Sequence, residues 1–283
     1  MRSPCPRRSI RQLFAVFVCL SIVGCASNAQ RIDALARSAQ LQRYVIESNQ
    51  LPSVVYLRAS KGSNQRLLIF IEGDGVPWRA GIAPNADPTT HEPLALELMV
   101  RTPGDAAYIG RPCYQRVVTE HCTSDLWTSA RFSTEIVHAM TLAVKDAMSR
   151  TQAEDLVLVG YSGGGVLASL IAEQLGRVTA VITIAANLDI DAWAKHHNYL
   201  PLSESMNPAL STHPHPWNEI HMEGTDDAVV PSATRDAYFE RYPSARRWLL
   251  DKHGHKCCWV EEWKELWERI EAELQRAGMA GDG

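Results

Sequence analysis

The hexapeptide Gly-Tyr-Ser-Gly-Gly-Gly places Ser162 between a run of apolar residues and a stretch with helical spacing. It matches Gly-x-Ser-x-Gly, a pattern in which a sharp turn from a strand into a helix exposes a serine nucleophile. It also matches the Gly-x-Gly-x-x-Ala loop, from Gly163 to Ala168, that binds the pyrophosphate of a dinucleotide. The hexapeptide alone therefore leaves two chemistries open.

Two later segments carry the acid and the base that a serine nucleophile needs. A serine hydroxyl attacks only when a base accepts its proton, and a histidine base needs an acid to orient it. Asp226 and Asp227 follow one predicted strand, and His253 and His255 follow another. The chain order serine, acid, histidine is that of one known class of catalytic triad.

The dinucleotide alternative explains less of the chain. Its glycine loop usually follows the first strand of the fold, whereas this one lies in the middle of the sequence. Asp189 or Asp191 stands at about the spacing expected for a ribose-binding acid. Nothing downstream of these aspartates is accounted for, so a nucleophilic serine is favoured and no cofactor is expected.

Short apolar runs alternate with amphipathic stretches along the chain, which predicts a mostly parallel sheet with helices on both faces. The predicted strands are 53–59, 66–73, 106–110, 155–160, 180–186, 219–224 and 246–251. The predicted helices are 92–101, 134–150, 165–175, 232–241 and 260–277. Strand 53–59 is expected at a sheet edge, and the irregular segment 189–217 is too short for a full lid domain.

Over residues 53–277 the chain resembles the α/β-hydrolase superfamily, and more narrowly a group of proteobacterial hydrolase-like lipoproteins. The motifs that carry the resemblance are IEGDG, GRPCY, SARFS, GYSGGG, ANLD, Trp193 and HKCCW. The resemblance implies the α/β-hydrolase fold and a serine hydrolase, without naming a substrate. In that superfamily a Gly-x-x-Asp-x-x-Val-Pro loop carries the acid, so Gly224 and Pro231 select Asp227. Asp226 would then cap the following helix.

The choice between His253 and His255 depends on Gly254. Glycine lets the chain bend sharply, and the residue after the bend can point back across the sheet edge toward Ser162. Trp259 follows His255 by four residues, which is similar to the histidine loop of the superfamily. We therefore predict His255 as the catalytic base and His253 as a neighbour outside the reaction.

An oxyanion hole needs two backbone amides aimed at the developing negative charge. The amide of Gly163 is the first candidate. The second should follow an earlier strand, where esterases of the superfamily often carry His-Gly-Gly-Gly; here Glu72 replaces the histidine. Gly73 and Gly75 still permit a tight turn, so we assign the second donor to the amide of Asp74. The alternatives are an ordinary polar turn or carboxylates that bind a cation.

The N-terminus resembles the signal of a bacterial lipoprotein. Four arginines precede an apolar run, 13–23, that is too short to cross a bilayer. The run ends in Ile-Val-Gly-Cys, which predicts cleavage after residue 24 and acylation of Cys25; an ordinary signal peptide with a chance cysteine is the alternative. We expect a signal at 1–24, a lipidated tether at 25–50 and the hydrolase domain at 51–283. Ala26 in place of aspartate implies the outer membrane, with the domain facing the periplasm.

Export to an oxidising compartment favours disulfides. Four cysteines lie beyond the predicted lipid site: Cys113, Cys122, Cys257 and Cys258. A bridge between Cys113 and Cys122 closes the simplest loop, and the adjacent pair is either bridged or reduced. The sequence His-x-His-x-Cys-Cys lacks the usual spacing of zinc ligands, so no metal is expected.

Net charge and the remaining polar residues limit the kinds of partner that the chain is expected to bind. The chain has a net charge of −4 and the predicted signal removes four arginines, which argues against nucleic acid as a partner. Arg111 and Arg131 are expected to pair with structural carboxylates rather than with an anionic substrate. Five histidines with irregular spacing are expected to be exposed: His196, His197, His213, His215 and His221.

The function that best fits the sequence is hydrolysis of an ester, thioester or amide through an acyl-enzyme, on a small-molecule or lipid-like acyl substrate. Four loop tryptophans either line an apolar acyl pocket or pack beneath the loops: Trp78, Trp127, Trp193 and Trp217. A non-catalytic binding or structural lipoprotein that retains the fold is the alternative, and an oxidoreductase is a more distant one. The sequence carries no signal for an oligomeric state.

Overall fold

The computed structural model describes residues 26–60 and 66–281. Its strands are β1 (Gln42–Ser48), β2 (Leu51–Arg58), β3 (Arg66–Ile71), β4 (Trp78–Arg79), β5 (Ala83–Pro84), β6 (Ala106–Ile109), β7 (Asp155–Tyr161), β8 (Val178–Ile184), β9 (Asn218–Gly224) and β10 (Arg246–Leu250). Its α-helices are α1 (Asn28–Ser38), α2 (Leu94–Arg101), α3 (Thr134–Thr151), α4 (Gly163–Ala172), α5 (Ile190–His196), α6 (Asp236–Arg241) and α7 (Trp263–Gly281). Short 3₁₀ helices span Ser124–Trp127, Pro208–Leu210 and Ser232–Arg235.

Eight strands form one sheet in the order β1-β2-β6-β3-β7-β8-β9-β10. The pairs β1–β2 and β2–β6 are antiparallel, and every other neighbouring pair in this sheet is parallel. This confirms the mostly parallel sheet predicted from the alternation of apolar and amphipathic runs. Strands β4 and β5 form a separate two-stranded hairpin after β3.

The sheet is buried on both faces, because helices cover each of them. Helices α3 and α4 pack on one face with Leu156 and Leu158 of β7. Helices α1, α2 and α7 pack on the other with Val157 and Val159. Alternate side chains of β7 thus enter opposite cores, which explains why the strand that leads to Ser162 is a continuous apolar run rather than an alternating one.

The prediction that residues 25–50 form a tether is wrong for residues 28–48. Ile32 and Ala36 of α1 are buried in the core, and β1 pairs with β2 along its full length. Strand β1 is therefore the edge of the sheet, and β2 is an internal strand rather than the predicted edge. The predicted signal, 1–24, and Cys25 lie outside the described residues.

Two disulfides lie in loops that follow strands. Cys113 and Cys122 are bonded in the long loop after β6, with their Cα atoms 5.6 Å apart. Cys257 and Cys258 are bonded to each other across a cis peptide, shortly before α7. Within the part of the chain that the structure describes, no helix is both long and apolar enough to span a bilayer.

Candidate active site

Ser162 occupies a sharp turn between β7 and α4. Its backbone has φ 52° and ψ −124°, a conformation that costs an ordinary residue on the order of 1 kcal/mol or more. A Cβ on Gly160 would overlap the backbone of Gly164, and one on Gly164 would overlap the carbonyl of Ile71. The glycine spacing in the sequence is thus required by close backbone contacts, and the turn exposes the serine hydroxyl at the carboxyl edge of the sheet.

The structure brings together Ser162, His255 and Asp227. Oγ of Ser162 lies 3.0 Å from Nε2 of His255. Nδ1 of the same ring lies 3.0 Å from Oδ2 and 3.2 Å from Oδ1 of Asp227. The Asp227 carboxylate is fully buried and accepts hydrogen bonds from the backbone amides of Val229 (2.9 Å) and Val230 (2.8 Å). These two amides bind Oδ1 and fix the carboxylate, so that Oδ2 is the oxygen nearer the imidazole.

Trp259 fixes the loop that carries His255. Its buried indole N–H donates to the carbonyl oxygens of His255 (3.0 Å) and Gly254 (3.1 Å). On the other side, the Tyr161 ring lies 5.3 Å from the imidazole. The tryptophan noted in the sequence therefore holds the backbone of the histidine loop, while the tyrosine before the serine limits the position of the ring.

His253 is buried elsewhere. Its Nδ1 lies 3.0 Å from the carbonyl oxygen of Asp251, and its ring packs on Trp259 at 4.7 Å. The bend predicted at Gly254 is wrong in position, because Lys252 rather than Gly254 has the positive φ, 58°. The structure places His255 beside the serine as predicted, although the chain reverses two residues earlier than expected.

The two amides predicted for the oxyanion hole lie on segments that touch. A Cβ on Gly73 would lie 3.3 Å from Cβ of Ser162, and one on Gly163 would overlap the Asp74 carboxylate. No hydrogen bond within residues 26–60 and 66–281 occupies the backbone N–H of Gly163 or of Asp74. Gly163 also begins α4, so its amide is one of the unpaired donors at a helix N-terminus. Neither N–H is therefore committed to another acceptor among these residues.

The side chain of Asp74 has a role that the sequence did not reveal. Its two carboxylate oxygens accept hydrogen bonds from Nη1 of Arg111 (2.5 Å) and Nη1 of Arg131 (2.6 Å). The Tyr114 hydroxyl donates to its carbonyl oxygen at 2.9 Å. Burial acts to raise the pKa of Asp74, but the charges and hydrogen bonds of the two arginines hold it below its usual value. The arginines pair with a structural carboxylate, as expected. That carboxylate anchors the segment 72–77 between β3 and β4, named here the oxyanion loop after the candidate amide of Asp74.

Glu72, which replaces the histidine of related motifs, directly follows β3 and is buried against the start of α2. It accepts hydrogen bonds from the backbone amides of Gly73 (3.1 Å) and Ala95 (3.1 Å). Burial raises the pKa of Glu72 to about 8, and these backbone hydrogen bonds act in the opposite direction. The glutamate therefore ties the oxyanion loop to α2 and does not reach the serine.

Segment 189–217 contacts the loop that carries the acid. The Trp193 indole N–H donates to the carbonyl oxygen of Val229 at 2.7 Å, and Nε2 of His197 lies 2.8 Å from the same oxygen. Tyr199 packs on both rings, at 5.4 Å from Trp193 and 5.1 Å from His197. Since Val229 donates to Asp227, this aromatic cluster is two contacts from the candidate acid.

The prediction that all five irregularly spaced histidines are exposed is wrong for His215 and His221, and His197 is half-buried. The ring of His215 is buried, with Nδ1 2.7 Å from Glu219 and Nε2 3.4 Å from Glu173. Burial alone would lower the pKa of His215, but hydrogen bonds with these glutamates raise it to about 9. His221 is also buried, 2.8 Å from Oγ1 of Thr183. Among the described residues no cluster of His, Cys, Asp or Glu could hold a metal ion.

No protein-family model matches the chain, and no match was found among curated proteins. Solved structures do match it. An esterase of Pyrococcus furiosus has a TM-score of 0.60 at 11% identity and covers 85% of this chain and 94% of its own. An acetyl xylan esterase from a Paenibacillus species has a TM-score of 0.59 at 13% identity, covering 86% and 92%. An alpha-beta serine hydrolase homologue from Coxiella burnetii has a TM-score of 0.50 at 13% identity, covering 81% and 96%.

Identities this low show the fold alone. The narrower similarity to proteobacterial lipoproteins stays a prediction. The chain has the α/β-hydrolase fold, as its sequence predicted.

Proposed function

We propose that this protein is a serine hydrolase that cleaves acyl substrates through an acyl-enzyme. The observation that carries the proposal is the continuous hydrogen-bonded chain from Oγ of Ser162 through His255 to the buried Asp227. A histidine within 3.0 Å of a serine hydroxyl, and oriented by a carboxylate, is the arrangement that activates such a nucleophile.

In the first half-reaction the Ser162 oxygen bonds to the substrate carbonyl carbon while Nε2 of His255 takes the hydroxyl proton. The carbonyl oxygen becomes an oxyanion between the amides of Gly163 and Asp74. The imidazolium then gives its proton to the leaving group as the carbon–leaving-group bond breaks. Asp227 keeps the proton on Nδ1 and stabilises the charged ring.

In the second half-reaction water repeats the sequence. His255 takes a proton from water, the hydroxide attacks the acyl carbon, and Ser162 leaves with the returned proton. Each oxyanion-hole amide typically contributes about 3–4 kcal/mol to the transition state. No metal ion or cofactor takes part in this scheme.

Esters are the favoured substrates within the wider set of esters, thioesters and amides. Two of the structural neighbours described above carry the name esterase. The leaving group of an ester also departs more easily than that of an amide, so an ester makes smaller demands on the acid role of His255. We further propose that the domain is held in the cell envelope by acylation of Cys25, facing the periplasm and attached to the outer membrane, as the sequence predicts.

Labelling with a fluorophosphonate tests the proposed nucleophile, because the probe bonds only to an activated serine. The wild-type chain should label, and Ser162→Ala should not. Ser38→Ala, which removes an exposed hydroxyl at the end of α1, is the matched control and should label like the wild type. An unlabelled wild-type protein would instead favour the non-catalytic binding or structural lipoprotein.

A further inference from the structure

Exposed apolar side chains follow strands on both sides of β7, the strand that leads to Ser162. Five of them, named here the apolar rim, lie in the connections that leave the carboxyl ends of β3, β8 and β9. Their exposed fractions are Trp78 37%, Ile82 85%, Tyr199 58%, Leu200 83% and Val229 46%. Soluble proteins seldom group exposed apolar side chains around one edge unless that edge contacts a partner.

The rim is directly linked to the candidate site. The hairpin that carries Ile82 emerges from the oxyanion loop and closes back on it, since Val76 N–H donates to Pro88 O and Asn85 N–H donates to Pro77 O, each at 2.8 Å. On the opposite side Tyr199 packs on Trp193, which is hydrogen-bonded to the acid loop. The rim therefore lies on two sides of the serine.

Helix α1 begins at this same edge. Strand β1 is antiparallel to β2, and β2 is antiparallel to β6, which runs with β3. The helix precedes β1 and runs back along it, so its first residue lies toward the carboxyl edge. Contacts agree with this: Asn28 donates to the Thr89 carbonyl oxygen at 2.9 Å, and its side-chain oxygen lies 3.0 Å from Nδ1 of His91. Both partners belong to the loop that follows β3.

Chain length limits how far the predicted lipid site can lie from the start of α1. Cys25 precedes Asn28 by three residues, and three residues of extended chain reach about 10 Å at most. Because residues 28–48 are part of the folded domain, they supply no long tether. An acyl chain on Cys25 would consequently enter a bilayer close to the edge that carries the rim and Ser162.

We propose that this edge docks on a lipid bilayer through the apolar rim, so that Ser162 acts on acyl esters held in the membrane. The proposal rests on the serine hydrolase function proposed above. Trp and Tyr are favoured where a protein meets the membrane interface, and leucine and isoleucine gain by leaving water. The chain has a net negative charge, so the docking depends on apolar contact rather than on attraction to anionic headgroups.

Vesicle flotation with residues 26–283 tests the docking without the predicted signal and without Cys25, since every described element lies within that span. The vesicles contain only phosphatidylcholine and phosphatidylethanolamine. The wild-type chain should float with them, and added salt should not release it. Ile82→Ser and Leu200→Ser should each lower the partition coefficient about tenfold. Val45→Ser removes an apolar side chain that is 46% exposed in β1, away from the rim, and should float like the wild type.

Three results would overturn the docking: a wild-type chain that stays with the unbound fraction, rim variants that float as it does, or release by salt. The first would assign the rim to a protein partner. Fluorophosphonate labelling of the same wild-type preparation in solution separates this inference from the proposed function. A chain that floats but does not label supports the docking surface and refutes the hydrolase. A chain that labels but does not float supports the hydrolase and refutes the docking.

Discussion

Replacing Asp227 by asparagine is expected to reverse the tautomer of His255. Oδ1 of Asp227 accepts the amides of Val229 and Val230 at 2.9 and 2.8 Å, so only the amide oxygen of asparagine can occupy that position. Its NH₂ group must then take the place of Oδ2, which at 3.0 Å is the nearer oxygen to Nδ1 of the imidazole, while Oδ1, at 3.2 Å, already accepts the two amides. An amide NH₂ only donates. Nδ1 becomes the acceptor, the ring proton moves to Nε2, and Nε2 can no longer accept the proton of Ser162.

The expected loss of activity is large and the expected loss of stability is small. Removing the acid so that the histidine adopts the wrong tautomer lowers kcat by about 10⁴ in serine hydrolases, equivalent to about 5.5 kcal/mol of transition-state stabilisation. The backbone amides of Val229 and Val230 keep an oxygen acceptor. The free energy of unfolding should therefore fall by only about 1–2 kcal/mol, the difference between a charged and a neutral hydrogen bond.

Steady-state hydrolysis of p-nitrophenyl acetate measures kcat, and thermal melting of the same samples measures stability. Asp226→Asn is the matched control, because Asp226 is the exposed neighbour in the same loop and should leave kcat unchanged. Nitrogen NMR of the His255 ring reports the tautomer directly. A loss of less than about tenfold in kcat for Asp227→Asn, or an equal loss for Asp226→Asn, would refute the assignment of the acid.

Two further predictions concern the oxyanion loop. Asp74→Asn should destabilise the fold by about 3–5 kcal/mol, because it leaves the buried guanidinium groups of Arg111 and Arg131 without an anion. Arg131→Met should destabilise the fold less than Asp74→Asn does, since the ion pair between Asp74 and Arg111 remains. Equal losses of unfolding free energy in chemical denaturation would contradict this. Burial raises the pKa of Glu72 from 4.5 to about 8, so the folded chain binds a proton that the unfolded chain has lost, and stability falls as the pH rises between these values. Glu72→Gln should flatten that fall, and unfolding curves of unchanged pH dependence would exclude Glu72 as its source.

The sequence predicted best what short-range patterns determine. The continuous apolar run of β7 reflects burial on both faces, and the glycines around Ser162 reflect backbone contacts within the turn and with β3. The sequence-based predictions were weakest where pairing between distant parts of the chain determines the structure. Strand β1 pairs only at an edge and leaves alternate side chains in solvent, and only Tyr44, Val45 and Ile46 interrupt an otherwise polar segment. Three strand-favouring residues are too short a run to distinguish a strand from a tether without the pairing to β2.

The site shows the same division. The spacing that selects Asp227 in its loop and the tryptophan four residues after His255 are local signals. Asp227 and His255 both lie where these motifs placed them. The Asp74 carboxylate is instead held by arginines that are 37 and 57 residues away, a contact that no local pattern encodes. The bend at Lys252 was missed for a related reason: the amide of Lys252 donates to Oγ1 of Thr225, 27 residues earlier.

Membrane docking could either concentrate substrate at the site or complete the site, and the geometry distinguishes these two effects. The Ser162–His255–Asp227 hydrogen bonds are already formed, and the oxyanion loop is already anchored through Asp74. The hairpin that carries Ile82 is closed on that loop by two backbone hydrogen bonds, so contact with a bilayer requires no rearrangement at the serine. Docking should then concentrate membrane esters at a preformed site, which lowers the apparent KM for those esters and leaves kcat for a soluble ester unchanged. A rise in kcat for p-nitrophenyl acetate on addition of vesicles would mean that the bilayer completes the site, in conflict with the contacts seen here.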